Sequence, residues 1–181
     1  MPGGGTPVES TVVTTQWKAS HGVTFAEEGP GTGLKIAKVG PSLIKAFYCG
    51  VGCALPDEDV VLPGQKVGKF FLTQREGDNP APIRITFTNP VASFSGNILD
   101  IDGFEKWVIT AYNKAGVQIG ATLVLQGLNN SGAQTYFKID HGNVADIASV
   151  VFKGTDVNSL GFALDNFSTS GTCPASQFGS K

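Results

Sequence analysis

The chain has 181 residues, of which 41% are hydrophobic and 15% are charged, and this length suits a single domain with its own core. Its formal net charge is -2 at pH 7 and its lysines and arginines do not cluster, which excludes the basic surface that nucleic acids and acidic membranes require. No stretch approaches the roughly 20 apolar residues of a membrane-spanning helix, so membrane insertion is not expected. The start MPGGGTP has neither the basic nor the apolar region of an export signal, which suits a mature chain whose signal has been removed and leaves the location open.

Short runs rich in Val, Ile, Phe, Tyr and Thr follow one another along the chain, separated by turn residues, and predict β-strands. In order they are GVTFAEE, LKIAKVG, IKAFYCG, KVGKFFLTQ, IRITFTNPVASFSG, KWVITAYNKAG, QIGATLVLQG, TYFKIDHG, IASVVFKG and GFALDNFSTSG. In IRITFT the apolar Ile83, Ile85 and Phe87 alternate with polar residues, which predicts one buried and one wet face. Asn113 and Gly116 indicate a hairpin turn, and only NVADIAS suggests a helical turn.

About ten strands in one open sheet would expose an apolar face, so the pattern predicts an all-β fold in which two antiparallel sheets stack as a β-sandwich. A jelly roll is the expected closure. We expect residues 1–8 to form a flexible N-terminal segment, residues 9–172 the single sandwich domain, and residues 173–181 a C-terminal tail. Function is expected in the loops at the ends of the sandwich.

Acidic residues mark one of these loops. In SGNILDIDGFEKW, Asp100, Asp102 and Glu105 surround a glycine between two strand-like runs. Calcium takes six to eight oxygen ligands in irregular geometry, so this segment predicts a Ca²⁺ site. Asp165, at the last strand, and Glu28, after the first, are further candidate ligands that only the fold could bring close. The competing interpretation is a solvated turn, because Asp and Gly are ordinary turn residues.

Two aromatic residues are candidate platforms for a sugar ring. Phe104 lies between the acids in a loop that should be wet, and Trp17 is followed by the polar His21. These three residues are the predicted ligand-binding set, although Trp17 also fits a core position. The other large aromatics are expected in or near the core, since such residues dominate burial in β-domains: Trp107, Tyr112 and Tyr136.

The three cysteines leave their chemistry open. Cys49 and Cys53 are separated by three residues and Cys173 lies near the C-terminus, so a local disulfide, a long closure onto Cys173 and free thiols all remain. A zinc site would need a fourth ligand at short spacing, and neither histidine supplies one.

The order of the runs resembles a known family. TTQWKASHGVTFAEE, IRITFTNPVASFSGNILDIDGFEKWVITAYNKAGVQIG and IASVVFKG with GFALDNFS resemble an exported bacterial jelly-roll domain found in PEP-CTERM-type surface proteins and beside carbohydrate-active modules. The resemblance covers residues 9–168. It implies a galactose-binding-like sandwich that a calcium ion braces, with Asp165, Asp100 and Asp102 as positions to carry over, and sugars bound on loops or a concave face. Where such modules often have two adjacent acids, this chain has Asp165 and Asn166.

Catalysis has little support in the sequence, since neither a GxSxG elbow nor an HExxH helix is present. A glycosidase would need only two carboxylates roughly 5 to 10 Å apart, which a sequence does not reveal. We therefore predict a non-catalytic, calcium-stabilised carbohydrate-binding module of an exported or cell-surface protein, with a polysaccharide or surface glycan as its partner. The alternative is a structural or adhesive module that self-associates in a surface layer or fibre without binding sugar.

Overall fold

The computed structural model describes residues 6–31, 33–38, 69–74, 80–99, 101, 105–126, 134–155 and 163–170. In these ranges the chain forms one short helix and ten strands. They are α1 (Lys18–His21), β1 (Val23–Glu27), β2 (Lys35–Lys38), β3 (Phe70–Thr73), β4 (Ile83–Val91), β5 (Ser93–Leu99), β6 (Lys106–Tyr112), β7 (Gln118–Gln126), β8 (Gln134–Asp140), β9 (Ile147–Thr155) and β10 (Ala163–Ser170).

The strands form two antiparallel sheets of five. The first sheet has the order β1-β4-β9-β6-β7 and the second the order β2-β3-β10-β5-β8. Strands β3 to β10 supply the eight strands of a jelly roll, with β3-β10-β5-β8 in one sheet and β4-β9-β6-β7 in the other, as two interlocked Greek keys require. Strands β1 and β2 each add one strand to a sheet. The predicted fold class is confirmed.

An aromatic cluster joins the two sheets. The Phe94 ring of β5 lies 5.2 Å from the ring of Phe87 on β4 and 6.4 Å from that of Phe152 on β9. It also packs against Phe137 of β8 and Phe167 of β10, at 5.5 and 5.3 Å. Phe87, Phe94, Phe137 and Phe152 belong to one buried core cluster, and the partly buried Phe167 packs against it. A close-packed interior of this kind has no room for a polar ligand.

Local patterns were less reliable than the strand pattern. The run IRITFTNPVASFSG divides at Ala92 into two strands of different sheets. NVADIAS does not form the predicted helical turn, because its last residues begin β9, which pairs with both β4 and β6, and tertiary pairing overrides weak local propensity. The helical turn is α1 instead, which ends at Gly22 with φ 66°. The run IKAFYCG and the three cysteines lie outside the described residues.

Residues 10–14 run along one side of the sandwich. The edge strands on this side are β1 and β2. Phe25 of β1 donates its backbone N–H to the Thr14 carbonyl at 2.8 Å, and three further backbone bonds join residues 10–13 to Leu34 and Ile36, at 2.7 to 3.0 Å. Part of the backbone hydrogen-bonding groups of these two edges is therefore paired within the chain.

Gly96 is the point where the second sheet allows no side chain. A Cβ built there would lie 2.9 Å from Phe137 Cζ, 2.9 Å from Phe167 Cδ1 and 3.1 Å from the carbonyl oxygen of Asp165. Because two packed rings and a backbone carbonyl would have to move, Gly96→Ala is expected to lower the free energy of unfolding by about 1 to 3 kcal/mol. Urea unfolding measures this loss. Ser95→Ala on the same strand is the control, expected within about 0.5 kcal/mol of the parent, and equal stability of the two variants would contradict the prediction.

Candidate carbohydrate-binding face

A row of polar and aromatic residues crosses the outer face of the second sheet. Asp165 of β10 is opposite Asn97 of β5, and Asn97 is opposite Tyr136 of β8. Their neighbours Leu164 and Ile98 are fully buried in the core, and successive residues of a strand point to opposite faces. Asp165, Asn97 and Tyr136 therefore point away from the core, on one line across three strands.

The next row along the strands is also polar. Ser168 is opposite Ser95, and Ser95 is opposite Lys138. We name the surface formed by both rows, Asp165, Asn97, Tyr136, Ser168, Ser95 and Lys138, the Tyr136 face. The Tyr136 side chain is 61% exposed, so its ring is open to a ligand.

A β-bulge in β10 shapes this face. The register of β10 against β5 shifts between Asp165 and Ser168, and Asn166 adopts a left-handed conformation with φ 56°, which asparagine tolerates better than most residues. The Asn166 Nδ2 donates a hydrogen bond to Asn97 Oδ1 at 3.3 Å. The bulge thus places a second exposed amide beside the row that holds Tyr136.

Lys138 of the Tyr136 face forms an ion pair with the adjacent Asp140. Lys138 Nζ donates a hydrogen bond to Asp140 Oδ2, and this bond, followed by the charge of Asp140, raises the pKa of Lys138 above its ordinary value of 10.5. The same bond, followed by the bond from the backbone N–H of Gly142, lowers the pKa of Asp140 below 3.8. Both groups stay charged across the neutral range, so the Tyr136 face keeps the cation of Lys138 with the anion of Asp140 beside it.

The outer face of the first sheet has its aromatic side chain engaged within the chain. The Arg84 guanidinium lies over the Tyr112 ring at 5.2 Å. The same guanidinium donates from Nη1 to Ser149 Oγ at 2.8 Å and from Nε to Glu28 Oε1 at 2.5 Å. Because the arginine covers this ring, the first sheet does not present Tyr112 as the second sheet presents Tyr136.

The described acids of the predicted calcium site lie on different strands. Glu28 follows the edge strand β1 and Glu105 precedes β6, three strands away in the same sheet, which is about 14 Å at the usual strand spacing. Asp165 belongs to the other sheet. Glu28 and Glu105 are therefore not neighbours in the sheet.

The immediate surroundings of Glu28 and Glu105 do not indicate a metal site either. Glu28 forms the ion pair with Arg84 described above, and Glu105 is buried, with 7% of its surface exposed. Among the described residues, no three His, Cys, Asp or Glu side chains are grouped so as to hold a metal ion. Asp100 and Asp102 lie outside the described residues, and the calcium site stays a prediction.

The described members of the predicted ligand-binding set, Trp17 and His21, do not belong to the Tyr136 face. Trp17 is half-buried and meets the Phe25 ring edge-on, with centroids 5.8 Å apart at 71°. His21 is exposed at the end of α1, with Nδ1 at 2.7 Å from Ser20 Oγ. Phe104 lies outside the described residues. The structure therefore places Trp17 at the margin of the core, next to the first sheet, with His21 one helical turn further on.

Tyr136 was missed because its size suggested a core residue, and that expectation is wrong. Trp107, by contrast, is fully buried as expected. The signal for Tyr136 is the alternation in TYFKID, where Phe137 and Ile139 face the core and Tyr136 shares the opposite side with Lys138 and Asp140. A strand with period two points every second residue away from the core, whatever its size.

No helix in the described part of the chain is long and apolar enough to span a membrane. No protein family and no curated protein matches the chain.

Several solved structures are similar to it. One is the enzymatically active domain of bacteriophage CBA120 tailspike protein 4, at 10% identity and a TM-score of 0.43, over 90% of this chain but only 21% of that one. A second is TmCBM61 in complex with β-1,4-galactotriose, at 8% identity and a TM-score of 0.46, over 84% of this chain and 92% of that one. A third is the CBM22-1 xylan-binding domain from Paenibacillus barcinonensis Xyn10C, at 12% identity and a TM-score of 0.42, over 91% of this chain and 94% of that one.

Proposed function

We propose that this domain is a non-catalytic carbohydrate-binding module that binds a polysaccharide on the Tyr136 face. The observation that carries the proposal is the exposed Tyr136 ring, 61% exposed and in register with Asn97 and Asp165. A sugar ring needs a flat apolar surface for its C–H groups and polar groups for its hydroxyls. Tyr136 offers the first, and the amides, the carboxylate and the serines beside it offer the second.

The shape of the face favours a chain over a single sugar. The two rows run across three neighbouring strands, a width of about 10 Å, and the side chains on them are short apart from Tyr136 and Lys138. An open surface of this kind contacts several sugar units of an extended polysaccharide, whereas a terminal sugar would be better enclosed by a pocket. We therefore expect oligosaccharides to bind more tightly than monosaccharides.

The direct test is calorimetric titration with soluble polysaccharides of different backbones, including xylan and a β-1,4-galactan, together with their tri- and monosaccharides. Saturable binding that weakens from polymer to monosaccharide is the expected result. A panel of polysaccharides in which none binds at millimolar sugar concentration would contradict the proposed function, and a glycan array would extend the panel.

Calcium stabilisation is the second part of the proposal, supported by the acid-rich segment around Asp100 and Asp102. A ligand that binds only the folded state raises stability by RT ln(1 + [L]/Kd), so calcium at about 100 times its Kd adds roughly 2.7 kcal/mol. The melting temperature should fall with a chelator and recover with calcium, while magnesium should substitute poorly because it demands tighter octahedral geometry. Identical melting curves with chelator and with calcium would exclude this stabilisation.

Side-chain variants separate the candidate ligands. Asp100→Ala or Asp102→Ala should abolish the calcium-dependent shift if these carboxylates bind the ion. Glu28→Gln should leave the shift intact, since Glu28 is engaged with Arg84, and loss of this largely exposed ion pair should cost no more than about 1 kcal/mol. Loss of the calcium shift in Glu28→Gln, with the two aspartate variants unaffected, would instead assign the ion to the end of β1.

A polysaccharide partner implies a place of action outside the cell or at its surface, where such polymers are met. We propose this location together with the binding function. Fractionation of the producing cells, with detection of the intact protein by antibody, checks it, and retention of the whole pool in the cytoplasmic fraction would contradict it.

A further inference from the structure

Strand β7 forms an edge of the sandwich that differs from the others. It is the last strand of the first sheet and pairs with β6 alone among the described strands. Nearly all of its residues are half-exposed or exposed, with Ile119 the buried exception. A strand in this position presents backbone N–H and carbonyl groups on its outer side, where they can pair with another strand.

The β7 edge lacks two of the common protections of an edge strand. Its sequence, QIGATLVLQ, contains neither a charged residue nor proline, two of the features by which edge strands resist pairing. The neighbouring edge strand β8 is protected in this way, since Lys138 and Asp140 are 48% and 44% exposed. The edges on the opposite side, β1 and β2, are hydrogen-bonded to residues 10–14. Among the described edge strands, β7 alone has no charged residue.

Only the second half of β7 is regular enough to pair with another strand. Near its start, the Gln118 side chain donates to the carbonyl of Gly120 at 3.1 Å and to Thr122 Oγ1 at 3.2 Å, and the register against β6 shifts between Ile109 and Ala111. From residue 123 to residue 126 the ladder with β6 is regular. Residues 123–126 therefore offer a regular edge about 13 Å long.

We propose that two copies of this chain pair antiparallel through their β7 strands, so that the two first sheets become one continuous ten-stranded sheet. A strand paired antiparallel with itself is related by a two-fold axis, which is the symmetry of most homodimers. The absence of charge on β7 matters here, because any charge near the axis would meet its own copy at close range.

Val124 is the residue that this pairing would cover. Its side chain lies on the outer face of the sheet and is 56% exposed. Directly opposite residues of an antiparallel pair point to the same face, so Val124 of one copy lies opposite Val124 of the other when the two-fold axis passes through this residue. Pairing through four residues buries less than the roughly 1,200 Å² of a stable interface, so the dimer should be weak and reversible.

Sedimentation velocity over a concentration series tests the dimer, with Val124→Lys as the disrupting variant. Two lysines at the axis repel each other, and we expect at least a tenfold weaker association. Val144→Lys is the matched control, because Val144 is 54% exposed in the turn between β8 and β9, outside both β7 and the Tyr136 face. It should associate like the parent.

A mixing experiment tests whether residue 124 of one copy meets residue 124 of the other. It also shows whether the variants are monomeric because of their charge and not because they are unfolded. Val124→Lys and Val124→Glu should each be monomeric, while an equimolar mixture should associate again, because opposite charges then meet across the axis. A monomeric parent at every concentration, equal association of Val124→Lys and the parent, failure of the mixture to associate, or growth beyond a dimer would each overturn the proposal. Tyr136→Ala should dimerise normally, so this result does not depend on sugar binding.

Discussion

Tyr136→Ala is expected to lower the affinity for polysaccharide at least tenfold while leaving the fold intact. Removing the ring takes away the only aromatic side chain among the residues of the Tyr136 face, and truncating an aromatic residue that anchors a binding surface commonly costs about 2 kcal/mol or more, where about 1.4 kcal/mol corresponds to a factor of ten. The stability should change by no more than about 0.5 kcal/mol, because the side chain is 61% exposed. Calorimetric titration and urea unfolding of the same preparation measure the two effects.

Tyr136→Phe is the matched control for this prediction. It keeps the flat ring and removes only the hydroxyl group, so most of the affinity should remain if stacking is the main contact. An equal loss in both variants would assign the contribution to the hydroxyl. Full affinity in Tyr136→Ala would exclude the Tyr136 face as the binding surface, and the loop around Phe104 would then be the next surface to examine, by Phe104→Ala.

Phe94→Ala is expected to have the largest effect on stability, about 3 to 5 kcal/mol, which is the usual cost of removing a phenylalanine from a packed core. The Phe94 ring touches aromatic residues of both sheets and is 2% exposed. A small domain has only about 5 to 15 kcal/mol in total, so this variant should be close to unfolding. Its urea midpoint, compared with that of the parent, measures the loss.

The same change at Tyr136 provides the contrast, since both variants remove an aromatic ring from the second sheet. We expect Phe94→Ala to lose stability and, in the fraction that remains folded, to keep its affinity for polysaccharide. Tyr136→Ala should show the reverse. If Phe94→Ala cost less than about 1 kcal/mol, the aromatic cluster would not be the junction that holds the two sheets together.

The sequence was sufficient for the fold class because a sandwich imposes a simple rule on each strand. Alternate residues must face the other sheet, and the alternation of Ile83, Ile85 and Phe87 with polar residues records that rule directly. The hairpin at Asn113 and Gly116 was equally local, and the structure confirms it: Asn113 Oδ1 accepts hydrogen bonds from the backbone N–H groups of Ala115 and Val117. A side chain that bonds its own turn needs no distant partner.

The candidate binding face could not be derived in the same way, because it depends on which strands become neighbours. Asp165 and Asn97 are 68 residues apart in the chain, and Asn97 and Tyr136 are 39 apart, yet each pair is directly opposite in the second sheet. Alternation along β8 would have been enough to predict that Tyr136 points away from the core, although its size led to the opposite expectation. Only the jelly-roll order β10-β5-β8 brings it into one row with the other two, since strand order is decided by the packing of all strands together and not by any single run.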